Sequence, residues 1–110
     1  MRYAIPTSQG TLAMHFGHAD EFTFVDVSDG RVAGVRSETP PPHEPGVLPA
    51  WLKKNAVDVV IAGGMGRRAQ DLFAEQGIRT VIGAPGEAPE ELVRNHLAGT
   101  LEVGENVCDH

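Results

Sequence analysis

The stretch Val57–Arg68, VDVVIAGGMGRR, decides the fold, because an apolar strand, a glycine turn and a basic helix start follow one another directly. The β-branched, nearly all-apolar run at 57–62 is typical of a central strand that is covered on both faces. The glycines at 63–66 end that strand, and apolar residues then recur at helical spacing up to about Gln76. Ligands of open α/β sheets bind beyond the carboxyl ends of strands, so a binding site is expected here.

Outward from this stretch, the pattern of apolar residues predicts a small α/β domain. Further strands are expected at 3–5, 21–27, 32–38 and 78–82, and further helices at 47–55 and 89–99. Asp29-Gly30 is typical of a hairpin turn between the second and third strands. Pro6 is expected to end the first strand, and 7–17 to form a loop. The predicted order is β-β-β-α-β-α-β-α, with a mixed sheet in a single domain.

Size and charge exclude several classes of protein. A chain of 110 residues fits one domain, and 9 basic against 15 acidic residues give a net charge of −6. This balance argues against binding to nucleic acid or to an anionic membrane surface. The sequence has no apolar run of membrane-spanning length and no signal-peptide pattern at its start. One cysteine cannot form an intrachain disulfide, so we expect a cytoplasmic protein.

The glycine turn is a candidate anion site formed by Gly63, Gly64, Met65, Gly66 and Arg68. Glycines let backbone N–H groups converge, a helix N-terminus adds partial positive charge, and the arginine adds formal charge. Phosphate, carboxylate or an anionic cluster would each suit such a turn. The P-loop pattern is absent. The alternative is a plain strand-to-helix turn with solvated arginines.

Cys108 and His110 form a Cys-x-His pair at the end of the chain, where a thiolate and an imidazole are suitable ligands for a soft metal. His15 and His43 could complete a metal site only if the fold brings them close. The alternative is that these are surface histidines and a frayed tail. Residues 100–110 carry few apolar side chains, so we expect little packing there without cargo. His96, in the last helix, is expected to be a packing residue.

The ordered set of motifs resembles the dinitrogenase iron–molybdenum cofactor biosynthesis family. The resemblance covers nearly the whole chain, and no single motif carries it alone. The motifs are Ala4-Ile5-Pro6-Thr7, His15-Phe16-Gly17 with Ala19, Phe24-Val25-Asp26-Val27, Gly46-Val47-Leu48-Pro49, the run 58–66, Arg68-Ala69 and Cys108-Asp109-His110.

This resemblance implies a ribonuclease H-like domain over 1–99, a tail over 100–110, and a non-enzymatic carrier. The cargo would be an Fe–S cluster, with the iron–molybdenum cofactor or its precursor as candidates, in nitrogen fixation or elsewhere. The partners would be cluster donor and acceptor proteins. The family's histidine falls on His15, its arginine on Arg68, and its terminal pair on Cys108 and His110. Three prolines replace the histidine-rich connector of many relatives, which leaves His43 a weak candidate.

Two other functions remain open from the residues alone. One is a binder or sensor of a small anionic metabolite at the glycine turn, which would not need Cys108. The other is a plain protein-interaction module whose histidines are incidental.

Overall fold

A six-stranded mixed sheet forms the centre of the molecule. The computed structural model describes residues 1–14, 16, 19–42 and 46–104. In chain order the elements are β1 Arg2–Ser8, β2 Thr11–Leu12, β3 Glu21–Ser28, β4 Arg31–Glu38, α1 Val47–Lys54, β5 Val59–Ala62, α2 Arg67–Glu75, β6 Arg79–Ile82 and α3 Pro89–Ala98. The predicted α/β class and mixed sheet are confirmed, and β2 is an addition to the predicted order.

The strand order brings three carboxyl ends to one edge of the sheet. The order is β4-β3-β1-β5-β6, with β2 paired to β1. The pairs β1–β3 and β3–β4 are antiparallel, whereas β5 runs parallel to both β1 and β6. The residues that follow β1, β5 and β6 therefore meet at the same edge, which we call the site edge.

The prediction that Pro6 ends the first strand is wrong, because β1 continues to Ser8. The carbonyl of Pro6 accepts a hydrogen bond of 2.9 Å from Ala13 N. In a ladder, the N–H and C=O of one residue face the same neighbour, so the N–H that proline lacks would also face this side. The β5 ladder on this side pairs only Tyr3 and Ala4, so Pro6 removes no bond from it.

Helices cover both faces of the sheet and create two cores. On one face, α1 and α2 pack on a cluster that includes Phe22, Phe24, Leu48, Leu52 and Phe73. On the other, α3 packs on a cluster that includes Tyr3, Ile5, Val25, Leu92 and Val93. Because successive side chains of a strand point to opposite faces, the central strands β1 and β5 are buried on both sides. A sheet held in this way is a rigid support for its carboxyl-end turns.

The chain continues in an ordered path after α3, contrary to our expectation for the start of the tail. The amides of Thr100 and Leu101 donate to the carbonyl of Asn95, at 2.9 and 3.1 Å. Leu101 is half-buried against the α3 core, and Gly104 N donates to Gly83 O at 2.7 Å. One well-placed leucine and a backbone contact give residues 101–104 the packing that composition alone did not predict. None of the described helices is long and apolar enough to cross a membrane.

Candidate functional site

The glycine turn at 63–66 is held from several sides through its carbonyl groups. Gly63 O accepts from Gly83 N at 2.8 Å, and Gly64 O accepts from Phe16 N at 3.1 Å. Met65 O accepts from the Gln70 side chain at 2.9 Å, and Gly66 O accepts from Gln70 N at 3.1 Å. The turn is thus tied to the β6 end, to the segment after β2 and to α2.

The segment after β2 lies directly against the turn. A Cβ atom at Gly63 would be 3.0 Å from the carbonyl oxygen and 3.2 Å from the Cα atom of Met14. Phe16 is buried and makes edge-to-face contacts with Phe22 and Phe73. Met14 and Phe16 both contact the turn, and they are the chain neighbours of His15.

The predicted turn residues differ in what they can offer a ligand. Gly63, Gly64 and Met65 are buried, and the Met65 side chain packs fully inside the α1–α2 core. Only the backbone of Met65 can therefore face a ligand. Arg68, and Arg67 beside it, are exposed in the first turn of α2.

The start of α2 is electrically positive. Gly66 is its N-cap, and no side chain in the described part of the protein caps it. The first amides of an α-helix lack acceptors within the helix, and the helix dipole adds partial positive charge there. The first turn contains two arginines and no acidic residue. An anion at this end of the helix would meet both amides and guanidinium groups.

An open pocket of ≈ 760 Å³ adjoins the turn on the β6 side. Its lining includes Met14, Gly63 and Gly83, together with Glu87 after β6 and the segment 100–104. Met14 is 45% exposed here. The described lining has two glutamates and no basic residue, so the positive side of the site edge is the α2 side.

The four predicted metal ligands, His15, His43, Cys108 and His110, lie outside the described residues. The described residues contain no group of three or more His, Cys, Asp or Glu side chains that could hold a metal ion. The structure therefore describes the glycine turn and its surroundings, and the predicted ligand set stays a prediction.

His96 has the packing role that we expected of it. Its Nδ1 atom is 2.7 Å from the hydroxyl oxygen of the fully buried Tyr3, and the two rings meet edge to face. Burial lowers the pKa of His96 below its usual value, and the positive charge of Arg79 adds to the effect. Tyr3 belongs to the α3 core near the start of β1, and the half-buried His96 contacts it from the last turn of α3.

Sequence reasoning missed the contribution of Met14, Gly83 and Gly104 to the site edge. The motif Gly83-Ala84-Pro85-Gly86 directly after an expected strand was a usable signal, since it repeats the strand-then-glycine pattern of 57–66. Gly104 gave no such signal, because its partner is 21 residues away along the chain.

Comparison with known proteins gives a consistent result. The model of the family described as dinitrogenase iron-molybdenum cofactor matches residues 1–99. An uncharacterized protein of Methanocaldococcus jannaschii is 27% identical over 107 residues, which are 93% of this chain and 90% of that protein. The crystal structure of PH0822 shares 31% identity and a TM-score of 0.88, with 96% of each chain covered. The apo form of the orange protein from Desulfovibrio gigas shares the fold at 20% identity and a TM-score of 0.78, with 96% and 93% covered.

Proposed function

This chain belongs to the dinitrogenase iron-molybdenum cofactor family, and we propose that it binds an anionic Fe–S cluster at the site edge and passes it on. The cluster is cargo, and the protein itself is not an enzyme. Its partners are then a protein that donates the cluster and a protein that accepts it. A precursor of the iron–molybdenum cofactor is the cargo that the family's description favours.

The observation that carries this proposal is the glycine turn at the uncapped start of α2. The turn is held by its carbonyls, so its shape is set before any ligand arrives. The first amides of α2 and the guanidinium groups of Arg67 and Arg68 provide hydrogen-bond donors and positive charge. Hydrogen bonds to cluster sulfides stabilise the cluster's negative charge. Because the whole protein carries a net charge of −6, an anion would be drawn to this local positive site rather than to the rest of the surface.

The metal ligands would come from two chain segments next to this turn. One carries His15, and the other leads from Gly104 to Cys108. His15 stands between Met14 and Phe16, both in contact with the turn. Cys108 is four residues beyond Gly104, and Gly104 N donates a hydrogen bond to Gly83 O. Four residues of extended chain span at most about 14 Å. We therefore propose His15 and Cys108 as direct ligands, with His110 and His43 as secondary ones.

Anaerobic reconstitution with iron and sulfide, followed by analysis of both elements and absorption spectroscopy, tests the proposal. Arg68→Ala should weaken cluster binding by about 1.5–3 kcal/mol, because it removes a charged donor. Arg31→Ala is the matched control, since Arg31 is also exposed but starts β4 at the opposite edge of the sheet. Its cluster binding should equal that of the wild type.

Cys108→Ser separates a cluster carrier from a binder of small anionic metabolites. A carrier should lose thiolate-to-iron absorption and retain less iron, whereas a phosphate or carboxylate binder would be unaffected by the change. Equal iron retention by the wild type and Cys108→Ser would refute ligation by Cys108, whereas a wild-type protein that takes up no iron would refute the cluster proposal.

A further inference from the structure

We propose that Gly83 and Gly104 anchor the segment 100–104, here called the strap, and thereby position Cys108 at the glycine turn. This inference rests on the proposed function, and it assigns a positioning role to two residues that carry no ligand atoms. The anchor acts through Cys108 rather than by contact with the cluster.

The strap and the turn are joined by consecutive backbone hydrogen bonds. Gly104 N donates to Gly83 O at 2.7 Å, and Gly83 N donates to Gly63 O at 2.8 Å. Gly83 therefore receives the strap through its carbonyl and holds the first glycine of the turn through its amide. Gly104, the last described residue, is therefore connected to the glycine turn through a single intervening residue, Gly83.

This contact requires glycine at position 83 for two independent reasons. Its φ is +86°, in the left-handed region that other residues rarely adopt. A Cβ atom there would lie 2.2 Å from the carbonyl oxygen and 2.9 Å from the carbonyl carbon of Gly104. These obstacles are backbone atoms, so a side chain at position 83 would have to displace the strap.

The strap is fixed at two points, and Gly83 controls the one nearer to Cys108. At the other point, Leu101 is half-buried against the α3 core, and its amide donates a hydrogen bond to the carbonyl of Asn95. Loss of the Gly83 contact would therefore free the distal end while Leu101 stays in place. The distance along the chain from Cys108 to the nearest described anchor would rise from four residues, counted from Gly104, to seven, counted from Leu101.

A longer tether lowers the effective concentration of the thiolate at the site. This concentration falls roughly as the −3/2 power of tether length, so a change from four to seven residues lowers it about twofold. We expect a cluster to leave the unanchored protein at least about twofold faster, since the thiolate also loses its preset direction.

Gly83→Ala is the main test, with Gly30→Ala as its matched control. Gly30 has a similar φ of +76°, but a Cβ atom there would meet nothing within 4 Å. Both variants thus carry the same kind of backbone strain, and only Gly83→Ala displaces the strap. Amide exchange in the apo protein should increase at 101–104 in Gly83→Ala alone. Release of the reconstituted cluster to a chelator should be at least about twofold faster in Gly83→Ala than in Gly30→Ala.

A second pair of variants tests the same contact from the strap side. Gly104→Pro removes the N–H that donates to Gly83 O. Gly104→Ala keeps it, and a Cβ atom there would approach no closer than 3.9 Å to Gly83 O. Faster release in Gly104→Pro than in Gly104→Ala supports the anchor even if Gly83→Ala fails to fold.

The dependence on Cys108 is tested by repeating Gly83→Ala in a Cys108→Ser background. Under our proposal, Gly83→Ala has no further effect on cluster release once the thiolate is gone. An equal effect in both backgrounds would show that Gly83 supports only the fold and would overturn the inference. Release from Gly83→Ala at the Gly30→Ala rate would overturn it while leaving cluster binding intact. A wild type that takes up no cluster would overturn both proposals.

Discussion

Gly63 and Met14 touch so closely that a Cβ atom on Gly63 would lie 3.0 Å from the Met14 carbonyl oxygen. The contact joins the first glycine of the turn after β5 to the segment that follows β2. Because the obstacle is backbone, the contact fixes the distance between the two parts of the chain that carry the proposed site.

We predict that Gly63→Ala pushes the segment around Met14 away from the turn. The extra methyl group should cost about 1–3 kcal/mol of unfolding free energy, as for overpacked sites. Gly34→Ala, in β4, is the control, because its Cβ atom would be 4.0 Å from the nearest side-chain atom. Urea unfolding measures both variants. A Gly63→Ala protein as stable as Gly34→Ala would contradict the tight contact.

We predict that Met65 acts in the core and not as a cluster ligand through its side chain. Met65→Ala should lower the unfolding free energy by about 2–5 kcal/mol, because the side chain is fully buried. Met65→Leu conserves volume and should cost less than about 1.5 kcal/mol. The leucine variant should also retain reconstituted iron at the wild-type level. A leucine variant that folds but loses its iron would instead make the sulfur a ligand.

Sequence patterns predicted the sheet because the buried faces of its strands are marked by apolar residues at regular positions. The run 57–62 is nearly all apolar, and β5 forms over Val59–Ala62 between two other strands. The pair Phe22 and Phe24 marks one buried face of β3, and both are buried. Such patterns can be recognised within a single segment, because a buried position favours an apolar side chain.

The patterns failed where the outcome depended on a partner far away in the chain. Pro6 stays in a strand because the β5 ladder has already ended on that side, where Ala13 N makes use of the Pro6 carbonyl. The helical spacing of Leu97 from Val93 predicts an inward-facing side chain, yet Leu97 is 36% exposed. Gly104 is held by Gly83, a contact between two backbones that no side-chain periodicity reports. The glycine turn was predictable from local sequence, whereas its connection to the strap was not.

We predict that Arg2→Lys destabilises the protein more than Arg36→Lys. Arg2 donates to Asp26 at 2.6 Å through Nε and to Asn55 O at 2.6 Å through Nη1, a fork that lysine cannot reproduce. Arg36 makes a 3.5 Å ion pair with Glu38, both side chains being about half exposed, and its guanidinium carbon lies 5.2 Å from the centre of the Phe24 ring. A lysine ammonium can make both kinds of contact. The difference should be about 1 kcal/mol, since Asp26 is partly exposed and screened. Chemical unfolding at neutral pH measures it, and equal losses would argue against the fork.

The hydrogen bond to Arg2 lowers the pKa of Asp26 below 3.8. A carboxyl group of this kind stabilises the fold above its unfolded-state pKa and loses that contribution as the pH falls through its folded-state pKa. The Arg2–Asp26 contribution is therefore present above the ordinary aspartate pKa of 3.8 and is lost as the pH falls below that value.

The last prediction concerns His96, whose pKa burial lowers below 6.5, with Arg79 adding to the effect. The unfolded chain then binds a proton at a higher pH than the folded protein does. Stability should be full above about pH 6.5 and should fall as the pH drops from there towards the folded-state pKa. The buried Tyr3 hydroxyl, 2.7 Å from Nδ1, can donate to the neutral ring when the ring proton is on Nε2. His96→Gln cannot take up a proton, so it should remove this loss while keeping a group that can accept from Tyr3.

We expect the wild type to lose more unfolding free energy than His96→Gln between about pH 7.5 and about pH 5, measured by urea unfolding at each pH. Parallel pH profiles for the two proteins would show that His96 titrates alike in both states and that its burial has no energetic effect.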